Sequence, residues 1–333
     1  MDNVLSLLRK YRAPIMGLAI VWVMCDHSGI SGDLPMPFRF LAKAGYGGVD
    51  IFLLLSGFGL YYSLERDPRE MPFYRRRAEK ILPAYLPVLL VWAVKTTGKG
   101  AGLYYWLRLF SGNLTGASFW LGTKTFNWYI LALPTFYFVA PFLKRQLDSG
   151  GKRRFAELIL GALFLSVAFW DEFSMVAVSR FPIFIIGIYL AKMEHEQAFP
   201  KEGACYLVMA LGFGALYFSL YRLRDWLWDY GLWWYPFILI TPGLVMLLCR
   251  IGAWMEKAWI GRRIGTLFRY LGEASLEIYL IHVPVFQYLE EKLQMTLPLR
   301  VGVMAACAVA GLVYHRVIEA GKKAYQKTKR KTT

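Results

Sequence analysis

Apolar residues in this chain do not alternate with polar ones on a strand period. They run in blocks of about 16 to 20, the length that crosses a hydrocarbon core of roughly 30 Å as a helix. Ten blocks can be read, at about 13–30, 45–64, 81–96, 128–143, 155–171, 174–191, 204–221, 232–249, 273–289 and 298–315, with short polar stretches between them. The pattern predicts an all-α polytopic membrane protein of about ten transmembrane helices. The segment 101–123 is aromatic but interrupted by Arg108, Asn113 and several glycines, and reads as an interfacial or re-entrant piece. No connection is long enough to fold by itself, so residues 1–333 read as a single membrane domain without a fused soluble domain, ending in a basic tail over about 318–333.

Composition agrees: 57% of residues are hydrophobic and only 19% charged, far from the balance of a soluble domain. Orientation follows from the basic residues, which stay on the cytoplasmic side. With the N-terminus inside, the inner segments hold 28 of the 39 lysines and arginines, and both termini fall in the cytoplasm. Such loops against anionic lipid headgroups account for the net charge of +16, and nucleic acid is not needed as a partner. Cys25, Cys205, Cys249 and Cys307 show no paired spacing and imply neither a disulfide framework nor a metal site. Gly57-Phe58-Gly59 and Gly212-Phe213-Gly214 lie inside apolar blocks, where small residues let helices approach closely.

Against this background an ionisable side chain in an apolar block stands out, because it is costly unless partnered or wetted. His27 lies 15 residues after Arg12, roughly 22 Å of helix, in the outer half of the first span. Asp50 opens the second span at similar depth, so an acid and an imidazole can meet there as an oriented general base for a hydroxyl. Asp26 is the competing partner, and a packing hydrogen bond is the bland alternative. The cluster Arg75-Arg76-Arg77 with Lys80, at the cytoplasmic entrance of the third span, suits a phosphorylated donor. It also suits an ordinary positive-inside stop. His282 and Glu277 on the ninth span, and Glu319 beyond the last with Arg316 as a candidate partner, form a second tier.

In this order the pieces resemble the acyltransferase-3 family of integral-membrane O-acyltransferases. The likeness rests on Gly48-Val49-Asp50 with Ser56-Gly57-Phe58, on Arg75 through Pro83, on Trp128-Tyr129 through Pro141, on Leu271 through His282, and on Glu319. The resemblance implies transfer of acetyl from cytoplasmic acetyl-CoA to a hydroxyl of a cell-surface or exported polysaccharide, or its lipid-linked precursor. The setting it implies is the bacterial cytoplasmic membrane. It makes His27 the family's essential first-span histidine and sets Arg75–Arg77 toward the donor's phosphates. Joined to the residue reading, this gives His27 as base or relay, Asp50 as its catalytic companion, and Arg75, Arg76, Arg77 and Lys80 as the donor site, with no metal and no permanently bound cofactor expected. Arg12, Ser56, Glu277, His282 and Glu319 are secondary candidates. Met16 stands where the family usually has an arginine, eleven residues before the histidine, and Arg12 lies one turn earlier. Lys80 stands where a second arginine is common. A transporter or flippase of glycan or lipid precursors is the principal alternative, and a glycan polymerase ranks third.

Overall fold

The computed structural model describes residues 3–97, 102–123, 125, 127–168, 174–222 and 234–332. It is all-helical, with no strand among the described residues. The helices are α1 Val4–His27, α2 Phe38–Lys43, α3 Gly48–Arg66, α4 Glu70–Thr97, α5 Leu103–Thr115, α6 Ala117–Trp120, α7 Trp128–Ala168, α8 Met175–Val178, α9 Phe181–His195, α10 Glu202–Tyr221, α11 Pro236–Met255, α12 Trp259–Glu273, α13 Ser275–Glu290 and α14 Leu297–Thr332.

Every block read from the sequence has a helix in it, and among the described residues five stretches are long and apolar enough to cross a membrane. These are Phe38–Arg66, Met175–His195, Glu202–Tyr221, Pro236–Met255 and Leu297–Thr328. The other blocks differ for physical reasons. α1 includes Arg9, Lys10 and Arg12, α4 begins in its arginine run, and α13 has only 16 residues. The blocks 128–143 and 155–171 share α7, which breaks at Gly151 with φ 53° and ψ −137°, a conformation that only glycine adopts freely. The connection 250–272, read from the sequence as an inner one, contains α12. This helix exposes Trp259, Ile260, Ile264, Leu267 and Tyr270 and carries Arg262, Arg263 and Arg269, as a helix lying in a lipid interface does.

Chain packing groups the residues into two compact units. One comprises 1–12, 49–78 and 89–254, the other 13–48, 79–88 and 255–333. In the first unit α3 and α9 touch backbone to backbone. A Cβ on Gly57 would collide with the Phe184 carbonyl, and one on Gly187 with the Leu54 carbonyl. Phe136 fills the adjoining core against Phe181 (ring centroids 4.4 Å) and Phe184 (5.2 Å). Gly212 makes room for Ile240 in the same way, as small residues in apolar helices do. The charges of this unit gather where α3 ends and α4 begins. There Lys144 meets Glu65 at 2.7 Å, Arg145 meets Glu70 at 2.5 Å and Arg9 meets Glu194 at 3.3 Å.

In the second unit α1 lies on α12 through a reciprocal glycine contact, Gly17 on the Phe268 carbonyl and Gly272 on the Ala13 carbonyl. Gly311 brings α14 equally close to Ile278 of α13. The Tyr314 hydroxyl donates to the Ala84 carbonyl at 2.9 Å, tying α14 to the middle of α4.

Candidate functional site

His27 is the last residue of α1, and α13 holds His282 opposite it. Nδ1 of His27 lies 2.8 Å from Nε2 of His282, and the rings stack at 5.1 Å with 26° between their planes. Nδ1 of His282 is 2.9 Å from the Ile278 carbonyl, one turn earlier in its own helix. A carbonyl oxygen only accepts, so in the neutral rings His282 carries its proton on Nδ1 and offers a lone pair at Nε2. His27 then donates from Nδ1, and its own Nε2 is left as a free lone pair. His282 is 0% exposed and His27 half-buried, so the basic nitrogen belongs to the accessible ring. Tyr279 lies beside both rings, at 6.3 Å from His27 and 5.4 Å from His282.

Arg300 secures the chain just past this imidazole. Its guanidinium donates to the Ser28 carbonyl and reaches Asp33 at 3.2 Å and Glu290 at 3.5 Å. A cation on the carbonyl groups that end a helix is favoured by the helix dipole. Further along α13, Glu277 is 4% exposed, and its Oε1 lies 3.1 Å from Nδ1 of His315 on α14.

Three arginines draw together in the other unit. Nε of Arg12 donates to the Leu55 carbonyl at 3.3 Å, and Gly59 leaves the space it needs, since a Cβ there would stand 3.0 Å from that guanidinium. Arg76 donates to Asp67 at 2.8 Å and Arg77 to the Ser63 hydroxyl at 3.3 Å. Hydrogen bonds from Arg69 and Arg76 hold the Asp67 carboxyl well below the usual carboxylate range. One nitrogen of Arg76 and Nε of Arg77 are buried without any hydrogen-bond acceptor. Arg75 is exposed on the same helix, as is Lys80 a turn beyond Arg76. Unspent, half-buried guanidinium donors beside one another are what an incoming phosphate or carboxylate satisfies.

Asp50 has a partner the sequence reading did not assign. Its carboxylate is 0% exposed, and Nε of Arg180, 1% exposed, donates to its Oδ2 at 3.3 Å. The guanidinium lies over the indoles of Trp128, at 5.2 Å, and Trp234, at 5.3 Å. Asp50 and His27 thus fall in different units, each with a partner inside its own: Arg180 for the carboxylate, His282 for the imidazole. Ser56 is half-buried on α3 between these two clusters of its unit. Glu319 accepts from Lys322 at 2.9 Å, where the sequence suggested Arg316.

The sequence reading passed over Arg180, Arg300 and His315. The signal was present for all three, because Arg180 lies inside the block 174–191 and Arg300 and His315 inside 298–315. The argument that singled out His27 applies to each.

The profile of the acyltransferase-3 family, described as an acyltransferase domain, matches residues 17–316. No curated relative and no solved structure matches the chain. The matched stretch takes in His27, Asp50, Arg75, Arg76, Arg77, Lys80, Glu277 and His282, and leaves out Arg12 and Glu319. With apolar helices long enough to cross a membrane and a family match over nearly its whole length, the chain is a multi-pass membrane protein that belongs to the acyltransferase-3 family.

Proposed function

We propose that this protein moves an acetyl group from cytoplasmic acetyl-CoA to a hydroxyl of a cell-surface or exported glycan, or of its lipid-linked precursor. In this reading it sits in the bacterial cytoplasmic membrane with about ten spans and both termini inside. The observation that carries the reading is the pair of stacked histidines. Its geometry leaves a lone pair on Nε2 of a half-buried neutral imidazole, the form a general base needs.

The chemistry follows from that nitrogen. The acceptor hydroxyl gives its proton to Nε2 of His27 as its oxygen bonds to the acetyl carbon. The carbon–sulfur bond breaks, and the coenzyme leaves as a thiolate that recovers the proton. His282 keeps the first ring in the correct tautomer throughout, since its Nε2 accepts from Nδ1 of His27 in both charge states. The unspent donors of Arg76 and Arg77, with Arg12 alongside, supply the positive field for the donor's phosphates. Arg75 and Lys80 extend that field along α4. Arg12 thereby stands in for the arginine that Met16 replaces in the family pattern.

The test is acetyl transfer from labelled acetyl-CoA by the purified protein in nanodiscs. His27→Ala should lower the rate about 10²- to 10⁴-fold, the share of a general base. Transfer at the parent rate in that variant would remove His27 from the mechanism. An unaltered surface glycan in cells lacking the protein would remove the acceptor class.

A further inference from the structure

The ion pair between Asp50 and Arg180 is incomplete in a way that points to a ligand. Two charges buried this deeply are tolerated only when their hydrogen-bonding capacity is met. Here the guanidinium meets the carboxylate edge-on through Nε alone, while another of its nitrogens donates to the Val176 carbonyl at 2.5 Å. Asp50 Oδ1 lies 3.3 Å from that Nε but has no hydrogen-bond donor. The hydroxyl of Ser179, next to Arg180 and 1% exposed, is also unpartnered. An unmet buried acceptor is costly, and helices free to shift would close on it. These are not free, because the glycine contacts hold α3 and α9 backbone to backbone, one at Gly57 and one at Gly187. The unit therefore keeps a polar floor with open valences.

Two indoles border this pair. Trp128 and Trp234 both flank the guanidinium, and both remain partly exposed where the guanidinium is not. The rings are thus the part an entering molecule meets first. A carboxylate next to a guanidinium has no net charge, so the arrangement does not select an anion or a cation. It selects a molecule with apolar faces for the indoles and hydroxyls that both donate and accept, which describes a pyranose ring.

We propose that Asp50, Arg180, Trp128 and Trp234 form a binding subsite for a neutral sugar. One hydroxyl donates to Asp50 Oδ1, and the sugar's C–H face lies on an indole. The identity of that sugar as the acetyl acceptor rests on the function proposed above; the subsite itself does not. The experiment uses the full chain in nanodiscs, with maltotetraose and chitotetraose as probes read by saturation-transfer NMR without donor. Trp128→Phe and Trp234→Phe keep a ring in place and spare the fold, which is checked by the thermal midpoint. Each should weaken tetrasaccharide binding about tenfold, the share of one good stacking contact. Each should raise the acceptor KM by the same factor, with kcat and the KM for acetyl-CoA unchanged. Arg180→Lys keeps the charge but loses the planar fork, and should do likewise. Tetrasaccharide affinity unchanged in both tryptophan variants, or absent in the parent protein, overturns the subsite. Binding that weakens as expected in a protein unable to transfer acetyl supports the subsite and overturns the acyltransferase reading instead.

Discussion

The two buried pairs of this protein solve opposite problems. His27 and His282 are neutral partners, with one directed bond on the first ring and two on the second, so little is lost on removing them from water. Asp50 and Arg180 are charged, 0% and 1% exposed, and depend on each other to be tolerable. The first pair ends in a nitrogen without a partner, which is the reactive group of the function proposed above. The second ends in a carboxylate oxygen without a hydrogen-bond donor, which is the recognition group of the proposed subsite. Neutral burial thus leaves chemistry available, whereas charged burial fixes position at the expense of stability.

The contrast is sharpest when one charge is removed. Asp50→Ala leaves Arg180 buried and alone, and should destabilise the protein by about 3–5 kcal/mol. The double variant Asp50→Ala with Arg180→Leu should recover most of that loss. Thermal unfolding in nanodiscs measures both, and a single variant as stable as the parent would show that the pair is not electrostatically coupled.

Next comes the neutral pair, where the effect should fall on rate rather than on folding. His282→Leu removes the acceptor for Nδ1 of His27 and releases its tautomer. We expect kcat to fall about 10- to 100-fold, less than the full share of a general base, with the thermal midpoint shifted far less than in Asp50→Ala. His282→Gln keeps an acceptor oxygen and should restore part of the rate. Equal rates in the Leu and Gln variants would separate His282 from tautomer control. Between the pairs in kind is Gly187→Ala, which drives a methyl into the Leu54 carbonyl and spreads α3, which bears Asp50, from α9, which Arg180 precedes. Its cost should be about 1–3 kcal/mol, that of overpacking a tight contact.

The smallest effect belongs to Asp67, which is charged like Asp50 but only half-buried. Because Arg69 and Arg76 lower its pKa in the folded state, its contribution is present above the unfolded carboxylate value of about 4. That contribution is lost as the pH falls through the depressed folded value. Asp67→Asn should imitate the acid state at neutral pH by freeing Arg76, changing the KM for acetyl-CoA by no more than about fivefold. A larger change would place Asp67 itself on the donor.

The sequence exposed the ingredients better than their pairing. Blocks of apolar residues marked where the helices lie, and His27, Asp50, Glu277 and His282 stood out because ionisable groups are rare in such blocks. The arginine run was equally visible, and the glycines at 57, 59 and 212 are sites of close approach as read, whereas Gly214 faces open space. The expected union of His27 with Asp50 came from matching depths alone. Depth is set by counting residues along a helix. Partnership is set by the rotation of one helix about its axis relative to another, and those rotations come from contacts such as Gly187 on Leu54, which have no local signature.

The chain by itself therefore determined the medium it lives in, the helices and the family, because hydropathy and spacing act over one turn or one span. Only tertiary structure joined Arg180 to Asp50 across 130 positions and His282 to His27 across 255. A side chain finds such a partner through the packing of the whole unit, and no single segment encodes that.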